Sequence, residues 1–266
     1  MQSQNAKMDV SKIQHAAYWL LFLLVITMLA LFFFRLMPEL DLFVSRIAFT
    51  VQPCPENATI SVCGTFPLQF NGVLSTMREI SLLVPNIVGV GASIYLIYQI
   101  LFNPNTSADS IRKISLVIWS VLLATIVLVN VILKELWGRP RPYQVDGLGG
   151  ENPFVLPGTI SNYCESNCSF VSGEASSAAW LFTLLVFLPG RWRIVGAAFL
   201  TVYVVFFSGL RIAFGRHFLS DVVVSVLFTF CVIAALNLLF STRYFTRLFE
   251  KTARWSNQVA FNLKVR

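Results

Sequence analysis

Six apolar stretches recur along this chain, at about 16–34, 80–102, 114–133, 174–190, 194–210 and 222–242, and each is long enough or nearly so to cross a bilayer. A soluble domain has no way to bury that many. Of 266 residues, 56% are hydrophobic and 12% charged, against roughly a quarter charged in ordinary globular chains. The expected fold class is all-α: a polytopic membrane protein, a bundle of six transmembrane helices forming a single domain over residues 1–266, with a basic tail at 243–266. The first stretch is too long, and lacks the small-residue cleavage pattern, to be a signal peptide, so it reads as a permanent span. The fourth and fifth are the shortest, which suits helices ending at a recessed site.

Charge orients the bundle. With the N-terminus inside, the inner segments hold Lys7, Lys12, Arg112, Lys113, Arg191, Arg193 and the tail's Arg243, Arg247, Lys251, Arg254, Lys264 and Arg266, against the acids Asp9, Asp109 and Glu250. This is the positive-inside asymmetry, and an even number of spans returns the C-terminus to the cytoplasm. It accounts for the net charge of +7 with no nucleic-acid partner. The tail either lies on the anionic inner leaflet or is a solvated topogenic segment.

Cys54, Cys63, Cys164 and Cys168 fall in the outer loops, and Cys231 lies in the sixth span. Outer thiols meet an oxidising compartment, so proximity predicts the disulfides Cys54–Cys63 and Cys164–Cys168. A zinc site is the alternative for four cysteines, but no outer-loop histidine stands beside the C-x3-C pair. In the first outer loop, PELDLFVSRIAF carries Leu40, Phe43, Val44, Ile47 and Ala48 at helical spacing, the pattern of a helix lying along the membrane surface.

Three polar islands close the outer ends of spans three to six: KELWGRPRPY with Lys134, Arg139 and Arg141; SFVSGE; and RIAFGRHFLSD with Arg211, Arg216, His217 and Asp221. Singly, each residue has a bland account. Lysine snorkels, interfacial arginines meet lipid phosphates, Asp221 caps a helix and Glu174 suits a positive helix terminus. Together they place cations, an imidazole, two carboxylates and a helix N-terminus at one membrane depth, a set that suits a tetrahedral, multiply charged anion.

Spacing suggests chemistry. His217 and Asp221 are four apart and share a helix face, so Asp221 is expected to accept the Nδ1–H of His217 and leave Nε2 free to attack phosphorus. Lys134, Arg141 and Arg211 would neutralise the phosphoryl oxygens, with Ser172 and the Gly173 N–H as further donors. The sequence offers no Mg²⁺ carboxylate cluster, so neither a metal nor another cofactor is expected.

Lys134-x6-Arg141-Pro142, Ser172-Gly173-Glu174 and Arg211-x5-His217-x3-Asp221 resemble the three signature motifs of the type 2 phosphatidic acid phosphatase (PAP2) family, K-x6-R-P, P-S-G-H and S-R-x5-H-x3-D, over about residues 80–242. The resemblance implies a metal-independent phosphohistidine mechanism on a membrane lipid phosphate. Val171 replaces the family's proline, Leu210 its serine, and Glu174 its first catalytic histidine, a change similar to that of bacterial lipid A phosphatase branches. The only other histidine, His15, lies at the inner end of the first span. Glu174 is therefore expected to be the general acid that protonates the leaving alkoxide.

The expected enzyme sits in the bacterial inner membrane with its site on the periplasmic face, and its substrate arrives laterally from the bilayer. Candidates are lipid A, phosphatidylglycerophosphate, phosphatidic acid and undecaprenyl pyrophosphate. A lipid phosphotransferase and a non-catalytic lipid-phosphate binder or transporter are the alternatives. Arg139 and Arg216 either contact a second phosphate or sugar, or are idle loop charges.

Overall fold

The computed structural model describes residues 2–265. Helix α1 (Gln2–Leu36) leads into a short surface helix α2 (Pro38–Ala48) and a two-stranded antiparallel ribbon, Thr50–Val51 with Gly64–Thr65. Then come α3 (Gly72–Phe102), α4 (Ala108–Leu136), α5 (Gly173–Phe187), α6 (Gly190–Ala213), α7 (Leu219–Phe240) and α8 (Arg243–Val265). Among the described residues, Ile13–Leu36, α3, α4, α6 and α7 are long and apolar enough to cross a membrane, and α5 is a shorter apolar helix.

Caps mark where several of these helices begin. Asn71 accepts the Leu74 N–H at 3.1 Å ahead of α3, Ser107 accepts the Ser110 N–H at 3.1 Å ahead of α4, and Ser172 accepts the Ala175 N–H at 3.3 Å ahead of α5. Two helices depart from regular pitch. From Val121 to Leu133, α4 widens to i→i−5 hydrogen bonding, as in the Lys134 N–H to Val129 carbonyl bond. From Leu181 to Phe187, α5 tightens to a 3₁₀ helix. At about 1.5 Å per α residue and about 2.0 Å per 3₁₀ residue, the fifteen residues of α5 reach about 26 Å, close to the roughly 30 Å hydrocarbon core. The expectation that the fifth stretch would be short is corrected: α6 has 24 residues, because the helix runs on through Arg191 and Arg193 at one end and Arg211 at the other.

The centre of the bundle is α5, packed against α4, α6 and α7, while α1 lies along α7. Trp180 of α5 is wholly buried, and its indole N–H donates to Ser120 Oγ at 2.9 Å and the Val117 carbonyl at 3.0 Å. Small residues around it, Ala175, Ser176, Ala178 and Ala179, let the neighbouring backbones close in. The tail is neither a loose segment nor separate from the bundle. Helix α8 packs against α3 and α4 through Phe249, Ala253, Ser256 and Ala260, with Ser256 Oγ donating to the Ile100 carbonyl at 2.9 Å.

Strictly alternating spans bring the α1–α3 connection, the α4–α5 connection and the α6–α7 connection to the same end of the bundle. Disulfides Cys54–Cys63 and Cys164–Cys168 pin the first two of these, as proximity in sequence predicted. Helix α2 forms where expected, but Asp41 and Ser45 on its polar face are buried against the protein, and Phe43 and Ile47 are exposed.

Candidate active site

The three islands converge. At that shared end, a cavity of about 510 Å³ is lined by five cations, Arg78, Lys134, Arg141, Arg211 and Arg216, and by two carboxylates, Glu79 and Glu174. The last turns of α4 and α6 carry Lys134 and Arg211 into it, and the first turn of α5 carries Glu174. Gly173 makes room for the lysine. A Cβ there would stand 2.9 Å from Lys134 Nζ and 2.7 Å from Asn130 Oδ1, so a side chain would displace one of them.

His217 lies in the α6–α7 connection, 1% exposed and walled off from solvent. Its Nδ1 is 2.8 Å from the Ser169 carbonyl. A carbonyl only accepts, so in the neutral ring Nδ1 carries the proton and Nε2 holds the lone pair. Burial, and then the nearby charges of Arg211, Arg141 and Lys134, hold the imidazole well below its ordinary value of 6.5.

This corrects the expected His217–Asp221 hydrogen bond. Asp221 Oδ2 is 4.0 Å from His217 Nδ1, too far for one. Asp221 instead accepts from Ser169 Oγ at 2.5 Å, from the Phe218 N–H at 2.9 Å and from Arg139 at 2.5 Å. It therefore caps α7 and fixes the residue whose carbonyl holds His217. The carbonyl of residue 169 reaches the ring because the 168–169 segment is itself tied down: Cys168 N–H bonds to the Lys134 carbonyl at 3.1 Å, and Ser169 N–H to the Arg139 carbonyl at 2.8 Å.

Arg139 is neither a loop charge nor a group facing the cavity. It is fully buried between Asp221 and Asp41 of α2, the latter at 2.9 Å, with its guanidinium 4.4 Å from the Phe218 ring centroid. Asp41 goes further and accepts the Ser220 N–H at 2.8 Å in the first turn of α7, where a carboxylate suits the helix dipole. Arg216 does line the cavity, its guanidinium 4.9 Å from the Tyr143 ring centroid.

Glu174 is held by two guanidiniums. Arg78 of α3 grips it in a bidentate pair, Nη2 to Oε1 at 2.6 Å and Nε to Oε2 at 3.1 Å. Arg211 Nε lies 3.2 Å from Oε1 at an angle that makes an ion pair but no hydrogen bond. Arg141 is turned to the Asn167 carbonyl, at 2.6 Å. Lys134, Arg141, Arg211 and Glu174 thus share the cavity wall as the spacing suggested. Ser172 is drawn inward as the α5 cap, and neither it nor Gly173, His217 or Asp221 lines the cavity. Arg78 and Asp41 were missed; their only sequence signal is an ionisable residue just ahead of an apolar stretch or on an amphipathic helix. His15 lies at the opposite end, beside Arg112 and Glu250. Among the described residues no three His, Cys, Asp or Glu side chains gather as a metal site.

Residues 115–245 match the PAP2 superfamily, and the chain is 39% identical over 228 residues to the lipid A 4′-phosphatase of Rhizobium etli (strain CFN 42), covering 85% of this chain and 88% of that protein. The chain belongs to the PAP2 superfamily. Two further relatives, both named lipid A 4′-phosphatase, are those of Rhizobium leguminosarum, 38% identical over 76% of this chain and 88% of its own length, and Francisella tularensis subsp. novicida, 41% identical over 38% and 46%. No solved structure matches the chain. As a PAP2 protein with membrane-spanning helices, it is a membrane lipid phosphatase.

Proposed function

We propose that this PAP2 enzyme removes the 4′-phosphate of lipid A at the outer face of the bacterial inner membrane, through a phosphohistidine intermediate. The observation that carries the reading is a neutral, tautomer-fixed His217 set beside a cavity of five cations. The relatives' shared name supplies the substrate. In the first step the Nε2 lone pair of His217 forms the N–P bond, the ester P–O bond breaks, and the sugar alkoxide leaves with the proton of the Glu174 carboxyl. In the second, water attacks phosphorus and gives a proton to the Glu174 carboxylate, the N–P bond breaks, and inorganic phosphate, neutral histidine and the protonated carboxyl are regenerated.

Lys134, Arg141 and Arg211 neutralise the phosphoryl oxygens, and Arg78 and Arg216 extend that field. An arriving phosphate dianion competes with Glu174 for Arg78 and Arg211. The displaced Glu174 carboxyl is the group placed to hand a proton to the leaving oxygen. Ser172, Gly173 and Asp221 shape the site: Ser172 caps α5, Gly173 admits the lysine, and Asp221 holds Ser169.

The test is acid-stable and acid-labile trapping with ³²P-labelled lipid A. Wild-type protein should release phosphate and, on rapid quench, carry label that acid removes, as a phosphoramidate requires. His217→Ala should carry none and lose turnover by at least about a thousandfold. Label without release to water, appearing only when a second lipid is supplied, would instead identify a phosphotransferase.

A further inference from the structure

Between α6 and α7, and bounded on one side by Phe182 of α5, a second cavity of about 490 Å³ has almost no polar wall. Its lining follows helical spacing on both flanks: Val205, Ser208, Gly209 and Ile212 on α6 face Leu219 and Val223 on α7. The groove starts beside the phosphate cavity, since Ile212 follows Arg211 directly and Leu219 lies two residues after His217. It ends at Thr201 and Phe230. The eleven helical rises from Thr201 to Ile212, at about 1.5 Å each, give a length of about 16 Å, half of a roughly 30 Å hydrocarbon core and so the depth of one leaflet.

Two observations make this more than an unfilled helix interface. A Cβ on Gly209 would meet nothing within 4 Å, so the absence of a side chain there keeps the groove open. Ser208 is 3% exposed, yet its hydroxyl has no hydrogen-bond partner. Buried hydroxyls find partners as a rule, and the only other hydroxyl on this wall, that of Thr201, already donates to the Ala197 carbonyl at 2.8 Å. Ser208 stands three residues, about 4.5 Å, below Arg211 on the same helix. An acyl chain anchored by a phosphate on Arg211 would pass that point with the carbonyl that links it to the headgroup.

We infer that the α6–α7 groove seats one acyl chain of the lipid substrate, with the Ser208 hydroxyl donating to the chain's ester or amide carbonyl. The proposal rests on the lipid phosphatase reading and adds to it a place for the chain. Bilayer lipid is as apolar as the groove, so seating a chain there gains little hydrophobic free energy. Its effect is positional: it holds the phosphate bearing the chain in register with His217.

The experiment compares lipid A in mixed micelles with p-nitrophenyl phosphate, which has no chain. Ser208→Ala should raise KM for lipid A about three- to tenfold, and Val223→Trp, which fills the groove, by more than tenfold. Neither should change kcat/KM for the aryl phosphate by more than about twofold. A parallel fall on both substrates, or no change on either, overturns the groove. A measurement on unmodified protein stands beside it: photolysis in vesicles of phosphatidic acid carrying a diazirine in one acyl chain, with adducts mapped by mass spectrometry. Adducts between 201 and 212 and between 219 and 230 are expected, and adducts confined to other faces overturn the proposal. Wild-type protein that hydrolyses neither substrate refutes the phosphatase reading, whereas the photolabel still decides the groove because it needs no turnover.

Discussion

On the proposed mechanism His217 must be uncharged to attack, and burial with the nearby cations lowers its pKa, which favours that form. Below its pKa the ring is protonated and Nε2 has no lone pair, so kcat/KM should fall as pH drops through a value below the ordinary 6.5. A pH profile of the wild-type protein checks this, and an acidic limb at or above 6.5 would refute it. Glu174→Gln separates two roles for that residue. If it delivers the proton, the variant should lose about 10²- to 10⁴-fold in kcat on lipid A while sparing p-nitrophenyl phosphate, whose leaving group departs unprotonated. Equal losses on both would leave Glu174 as the carboxylate that holds Arg78 and Arg211. Asp41→Asn acts elsewhere, by removing half the counter-charge of a wholly buried guanidinium. It should destabilise the protein by about 3–5 kcal/mol, read as a lowered unfolding midpoint in detergent.

At the scale of elements, Cys164–Cys168 spans only four residues, yet it fixes the segment that presents the Ser169 carbonyl to His217. The double variant Cys164→Ser/Cys168→Ser should lower kcat more than it raises KM, because the nucleophile loses its orientation while the cations stay. Cys54→Ser/Cys63→Ser, in the ribbon, should leave both within about threefold. Kinetics of the two pairs side by side would show the difference. What sequence reading could and could not reach divides here. The helical membrane bundle, the α2 helix, both disulfides and the convergence of three motifs follow from periodicity and spacing, which are local, whereas the length of α6 does not. Arg78 reaches Glu174 across 96 residues and Asp41 reaches Arg139 across 98, and no local pattern encodes such pairs. Among prolines in a polar loop, Arg139 reads as either a contact for a second phosphate or sugar or an idle charge; Phe154 and Phe218, 15 and 79 residues on, cover it instead. The His217–Asp221 spacing suggested a bond that Ser169 intercepts, since Asp221 begins a helix and turns back to cap it.

Taken whole, the molecule gathers five cations at one end of its bundle and fastens a basic helix, α8, across the other. On the proposed mechanism the charge that phosphoryl transfer requires comes from side chains of α3, α4, α6 and the adjoining connections. Activity on lipid A should persist in excess EDTA. Loss of activity, restored by adding back a divalent ion, would refute that prediction and with it the proposed role of the arginines and lysine.

The buried triad of Asp41, Arg139 and Asp221 also sets an order of events during synthesis. Asp41 leaves the ribosome 98 residues before Arg139 and 179 before Ser220, which at about 5–20 residues per second separates it from α7 by roughly 10–35 s. For the first part of that interval neither partner of Asp41 has been made, and until its end the N-terminus of α7 does not exist. On the proposed mechanism the nucleophile arrives in the same late stretch, so a chain halted after its fifth span carries Arg78, Lys134 and Arg211 but not His217, and turnover has to wait for the last connection.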